Sequence, residues 1–134
     1  MSSIQRLPKS FYRIYNKLIS IDFDIPFLPK IKPPLKPEIS IFRNEGIFNA
    51  TFRDGYILNK DKAFYSKKLL IQTKHKKQGI IEYCVKNDLS SRDKAFKLLS
   101  HPMALSLFLD GEYVIHASAV EIDGKAFIFI GPSG

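Results

Sequence analysis

Residues Gly111 to Gly134 read GEYVIHASAVEIDGKAFIFIGPSG. Tyr113 to Ile122 (YVIHASAVEI) predicts a strand. Asp123-Gly124 follows, a pair that favours the positive φ values of a tight hairpin turn. Lys125 to Ile130 (KAFIFI) predicts the returning strand. After its lysine that strand is apolar on both faces, as expected at the centre of a covered sheet. The chain then reads Gly131-Pro132-Ser133-Gly134.

A strand running into Gly-x-x-Gly has two readings. One is an ordinary glycine turn. The other is the start of a phosphate-binding loop, G-x-x-x-x-G-K-[S/T]. In such a loop the first glycine, here Gly131, lets the chain leave the strand sharply. The next backbone N–H groups then point at phosphate oxygens. The loop lysine neutralises β- and γ-phosphate charge, and the final hydroxyl holds Mg²⁺. Only the first four of the eight positions occur before the sequence ends at Gly134. The tetrapeptide alone does not decide between the two readings.

Upstream, the pattern becomes helical after Asp88. Ser90 and Ser91 are each suited to cap a helix, and Asp93 falls in the first turn, where negative charge suits the helix dipole. Ala95, Phe96, Leu98 and Leu99 recur at helical spacing. Pro102 predicts a break near Ser100-His101. Met103 to Leu109 is a second apolar helical segment, stopped by Asp110-Gly111.

Before Asp88 the signals are those of strands. Phe11 to Phe23 (FYRIYNKLISIDF) is dominated by aromatic and β-branched residues, with a turn at Asn16-Lys17. Pro26, Pro29, Pro33, Pro34 and Pro37 then predict an extended surface connection rather than a central strand. Glu38 to Arg43 reads as a short strand. Ile47 to Arg53 and Tyr56 to Asn59 predict a hairpin about Asp54-Gly55. Lys67 to Thr73 and Gly79 to Val85 predict two more strands, joined by a polar connection from Lys74 to Gln78. The expected fold is α+β in one domain. It has an antiparallel β-rich region over 1–87, a kinked helical segment over 88–111, and a hairpin with the start of the loop over 112–134.

Composition bounds the partners. The net charge is +8, from 21 Lys+Arg against 13 Asp+Glu. That balance favours anionic partners, but the cations are mostly lysines spread along the chain, the pattern of solvated faces rather than a nucleic-acid groove. No apolar run approaches the roughly 20 residues that cross a bilayer. The N-terminus lacks the apolar core of a secretory signal. The lone cysteine, Cys84, forms no internal disulfide, and with three scattered histidines it makes no zinc signature. These features predict a cytoplasmic protein with no membrane partner and no metal ligand set.

Few side chains stand out as chemical candidates. His116 is either a histidine packed on a strand between Ile115 and Ala117 or a group that meets a ligand. Ser118 reads as a small core residue. His75, among Lys74, Lys76 and Lys77, reads as exposed, and His101 as a cap at the helix break. Cys84 reads as a buried small hydrophobe. Asp22 and Asp24, at strand spacing, read as surface carboxylates.

From His116 to Gly134 the chain closely resembles the segment leading into the Walker A loop of HPr kinase-like proteins. In that group a strand carrying His-Ala-Ser-Ala-Val precedes a tight turn, a hydrophobic strand and G-x-S-G-x-G-K-[S/T]. Asp24-Ile25-Pro26-Phe27-Leu28-Pro29 and the apolar helix from Ala95 to Leu109 extend the resemblance more loosely. It implies a core related to phosphoenolpyruvate carboxykinase, with ATP as phosphoryl donor, Mg²⁺, and a serine in a protein or peptide as acceptor. Gly131, Ser133 and Gly134 match the motif, and Pro132 falls at a variable position. His116 matches a histidine that lies near the transferred phosphate in the family. The expectation is an N-terminal fragment of such a kinase, inactive and without tight ATP binding because the loop lysine and hydroxyl are missing, with a homo-oligomer allowed. The rivals are a non-catalytic peptide- or protein-binding module and a basic nucleic-acid-binding domain.

Overall fold

A computed structural model describes residues 9–33, 36–51, 54–59, 62–67, 71–77, 79–85 and 89–132. Seven strands form one sheet: β1 (Ser10–Ile14), β2 (Lys17–Ile21), β3 (Ile39–Arg43), β4 (Gly55–Asn59), β5 (Lys62–Lys67), β6 (Ile71–Lys77) and β7 (Ile80–Val85). Their order across the sheet is β1-β2-β3-β7-β6-β5-β4. Two helices follow, α1 (Ser91–Leu99) and α2 (His101–Leu109). A separate two-stranded sheet, β8 (Ser118–Ile122) and β9 (Lys125–Phe129), completes the described chain. The architecture is α+β, as expected.

The sheet is mixed rather than antiparallel throughout. β2 pairs in parallel with β3, and β3 in parallel with β7. The proline-rich connection is the physical reason. Parallel neighbours need a long crossover, and for β2 and β3 the chain between Ile21 and Ile39 supplies one with no strand among its described residues, while β4 to β6 carry the chain from β3 to β7. It is tied down at intervals: Ile31 N–H donates to the Phe11 carbonyl at 2.9 Å, and Glu38 N–H to that of Leu18 at 2.8 Å.

One face of the sheet is apolar and carries the helices. Tyr12, Ile19, Ile21, Ile39, Ile41, Tyr65, Ile71, Ile81, Tyr83 and Val85 form a single cluster with Ala95, Leu98, Met103 and Leu107. Alternation along the strands delivers these residues to that side. The Ser90 hydroxyl caps α1 by accepting from Asp93 N–H at 3.1 Å. The helices part at Ser100, with Pro102 in the first turn of α2, where a missing N–H costs nothing.

The opposite face is polar and also partly covered. Ser20 Oγ donates to Ser40 Oγ at 3.1 Å, and Asn44 Nδ2 to Glu82 Oε2 at 3.1 Å. This face overturns the expected hairpin about Asp54-Gly55. Residues 45–47 form a short 3₁₀ helix, and β4 begins only at Gly55 and pairs with β5. Gln72 fixes the intervening loop on both sides of its amide. Asn49 N–H donates to its Oε1, and its Nε2 to the Asn49 carbonyl, each at 2.8 Å.

Two further boundaries differ from the sequence reading. The polar stretch from Lys74 belongs to β6 as far as Lys77, because Ile71, Thr73 and His75 alternate onto the helix-covered face. The strand expected from Tyr113 starts only at Ser118. Residues 52–53, 60–61, 68–70, Pro34, Gln78 and Asp88, on which parts of the expected turns and connections fall, lie outside the described residues.

Gly79 is the position where glycine is required. Its φ is 78°, and a Cβ there would lie 2.5 Å from the Glu38 carbonyl oxygen. Its own carbonyl accepts from Ser40 N–H at 2.8 Å, joining β3 to β7. Gly79→Ala is expected to destabilise the fold by about 1–3 kcal/mol, read as a lower urea midpoint. An unchanged midpoint would contradict this account of the parallel seam.

Candidate functional site

The site is built by one turn. Asp123 and Gly124 have φ values of 52° and 75°, which make a two-residue hairpin loop with both central residues in the left-handed region. This sets the β8–β9 register from Ile122↔Lys125 to Ser118↔Phe129. Beyond the last pair lie His116, before β8, and Gly131, after β9. The two residues line one cavity of about 380 Å³, together with Ser118, Phe129 and Pro132. The structure therefore brings His116, Gly131 and Pro132 together, while Ser133 and Gly134 lie outside the described residues.

The chemistry of this cavity is narrow. It offers the His116 imidazole, the Ser118 hydroxyl and the Gly131 backbone amide. Pro132 has no N–H to give. No lysine, arginine or carboxylate is among the lining residues. Such a set hydrogen-bonds an anionic oxygen. It does not balance the charge of a triphosphate, and it gives Mg²⁺ no carboxylate ligand. The residues present fit an anion contact and do not fit a magnesium site. Among the described residues, no group of three His, Cys, Asp or Glu side chains gathers at all.

Gly131 has no structural requirement to be glycine. Its φ is not among the positive values, and a Cβ there would meet nothing within 4 Å. A ligand drawn close to the backbone would supply that requirement.

Both faces of the hairpin are open, which corrects two expectations. Phe129 is 61% and Ile130 69% exposed, so β9 is not a covered central strand. Ser118 is exposed rather than a core residue; His116, for which the sequence left two readings open, is exposed.

A second cavity, of about 410 Å³, lies beside the first. α2 contributes Ala104 and Leu107, the β1–β2 turn contributes Tyr15, and the segment before β8 contributes Val114, Ile115 and again His116. Sequence reasoning missed this cavity because it assigned residues 113–117 to a strand. Those residues instead form no helix, strand or turn.

The remaining candidates are structural. His75 is 4% exposed, not solvent-facing, and its Nε2 lies 2.8 Å from the Pro102 carbonyl oxygen, tying β6 to α2. His101 starts α2 and stacks on the Tyr65 ring at 5.7 Å instead of capping by its side chain. Asp22 is more than a surface carboxylate: it accepts from Tyr83 Oη and Arg43 N–H, each at 2.7 Å, linking the ends of β2, β3 and β7. Burial, and then that carboxylate, push the Tyr83 hydroxyl far up. Asp24 is exposed and accepts from Ser10 and Lys30, which hold its carboxyl below the usual range.

Cys84 is buried, and burial pushes its thiol up from 9.0 to about 11. At pH 8 its thiolate fraction is then roughly a hundredfold below that of an ordinary cysteine. A disulfide reagent is expected to label the folded protein slower by at least that factor, and the unfolded protein at the ordinary rate. The unfolded chain releases this proton first, so stability contributed by Cys84 falls as pH rises from about 9 to about 11. Fast labelling of the folded chain at pH 8 would contradict the burial. No family model, curated protein or solved structure matches this chain.

Proposed function

We propose that this chain carries the entry to the nucleotide site of an ATP-dependent serine kinase of the HPr kinase-like kind, acting on a protein or peptide in the cytoplasm. The single observation that supports the reading is the juxtaposition of His116 and Gly131 in one cavity at the exit of β9. A histidine facing the first glycine of a phosphate-binding loop sits where an anionic oxygen would lie. The open glycine at 131 fits the same role.

In this reading His116 hydrogen-bonds a phosphate oxygen or orients an acid–base group, and the Gly131 amide contributes to the phosphate cradle. ATP would supply the transferable phosphoryl group. The charge neutralisation that makes such a site tight comes from the lysine of the full motif. None of residues 1–134 fills that position.

The cheapest test is to read the DNA beyond codon 134. Codons for x-Gly-Lys-[Ser/Thr] directly after Gly134 are expected, and any other continuation ends the kinase reading. Calorimetry gives a second test. Without the loop lysine, residues 1–134 should hold ATP no more tightly than about 1 mM. A sub-micromolar affinity would contradict this account of the loop. Tight binding to random-sequence DNA that weakens steeply with salt would instead favour the basic nucleic-acid reading.

A further inference from the structure

The seven-stranded sheet has two edges, β1 and β4, and they are finished differently. Beside β1 runs the proline-rich connection, whose Ile31 N–H donates to the Phe11 carbonyl at 2.9 Å. Pro29 and Pro33 flank Ile31 in sequence and have no N–H to offer a further strand. At β4 no such cover occurs among the described residues. β5 is its one neighbour in the sheet, and no backbone bond from outside the sheet reaches Gly55 to Asn59. Successive residues of an antiparallel ladder turn their N–H and C=O to alternate sides, so about half of the β4 backbone groups face away from β5.

The strand carries none of the features that block pairing. Gly55-Tyr56-Ile57-Leu58-Asn59 has no charge and no proline. Tyr56 and Ile57 are each 47% and Leu58 60% exposed, so large side chains stand on both faces of this edge. The edge is also formed in advance. Every residue from Gly55 to Asn59 is in register with β5, and the Tyr56 ring packs on that of Tyr65 at 5.2 Å. A preformed edge costs little to organise when a strand joins it.

The flanking charges say which strand that is. Arg53-Asp54 precedes β4 and Lys60-Asp61 follows it. Two copies aligned antiparallel about Ile57 reverse the order of signs. Asp54 of each copy is then level in sequence with Lys60 of the other, and Arg53 with Asp61. A parallel alignment would set like charge against like. The centre is self-complementary in the same arrangement, with Tyr56 beside Leu58 of the second copy and Ile57 beside its own counterpart. A two-fold axis at Ile57 closes the contact, because one surface is used twice.

We infer that β4 is a self-association edge: two copies of this chain pair β4 with β4, antiparallel about Ile57, and join their sheets. The inference is independent of the nucleotide reading, since β4 lines neither cavity at His116.

The test is sedimentation equilibrium of the 134-residue chain over a concentration series. One short strand from each copy is a small interface, so a monomer–dimer equilibrium with Kd on the order of 100 μM is expected. Asp54→Lys and Lys60→Asp each bring like charges together twice in the dimer and should weaken it about 10-fold. The double variant restores opposite signs and should recover the affinity of the unaltered chain. Ile57→Lys sets two cations together at the axis and should abolish the dimer, while Val120→Lys, on the exposed β8–β9 hairpin, should leave it unchanged. Urea midpoints check that each variant is folded, and if Ile57→Lys unfolds the chain the charge pair still decides. A chain that stays monomeric at about 1 mM would overturn the inference. So would a dimer indifferent to Ile57→Lys, a double variant that does not recover, or a dimer abolished by Val120→Lys.

Discussion

The two-residue turn at Asp123-Gly124 controls the functional end of this molecule. A hairpin closed by two left-handed residues has one register, and Ile122 must face Lys125. A slip of one residue would carry every side chain of one strand to the other face. The stretches that follow, which carry His116 and Gly131 into one cavity, would shift against each other. The geometry of this end therefore depends on φ angles at Asp123 and Gly124, neither of which lines the cavity.

The hairpin stands apart from the body energetically as well as topologically. The seven-stranded sheet and two helices close a core around Tyr12, Ile41, Ile81, Tyr83, Leu98 and Met103 without using β8 or β9. The hairpin keeps Val120, Ile122, Phe127, Ile128 and Phe129 exposed. An apolar patch of this kind marks a surface meant to be covered. Segment 112–117 couples the two parts, and its irregular path opens the groove between α2 and His116.

Much of this was legible in local signals. Ser90 before a helical repeat, Pro102 at the helix break and Asp-Gly between two apolar runs each name a single local conformation, and each is found. The first hairpin was legible too, one residue early: Tyr15 and Asn16 are its left-handed pair. Most of what failed needed distant partners. His75 was misread because three lysines surround it, although Ile71-x-Thr73-x-His75 already carries the period of two that turns it inward. The Asp54-Gly55 signal is as good as that of Asp123-Gly124, but Gln72 holds the preceding loop against the sheet instead. The parallel seam was invisible because it depends on two long connections, the proline segment between β2 and β3 and the β4–β6 excursion between β3 and β7. At the site, the β8–β9 register could be counted outward from the turn. The adjoining groove could not, since α2 and residues 113–116 meet only in the tertiary structure.

The central claim is that His116 and Gly131 together form an anion-binding end of the hairpin. Its most direct test is a titration of the ¹⁵N-labelled protein with Mg·ATP, followed residue by residue. The account predicts that the His116 and Gly131 amides shift together along one weak binding curve, while buried His75 stays still. If both remain unmoved while resonances of the lysine-rich body, such as Lys30 and Lys32, respond, the claim is contradicted.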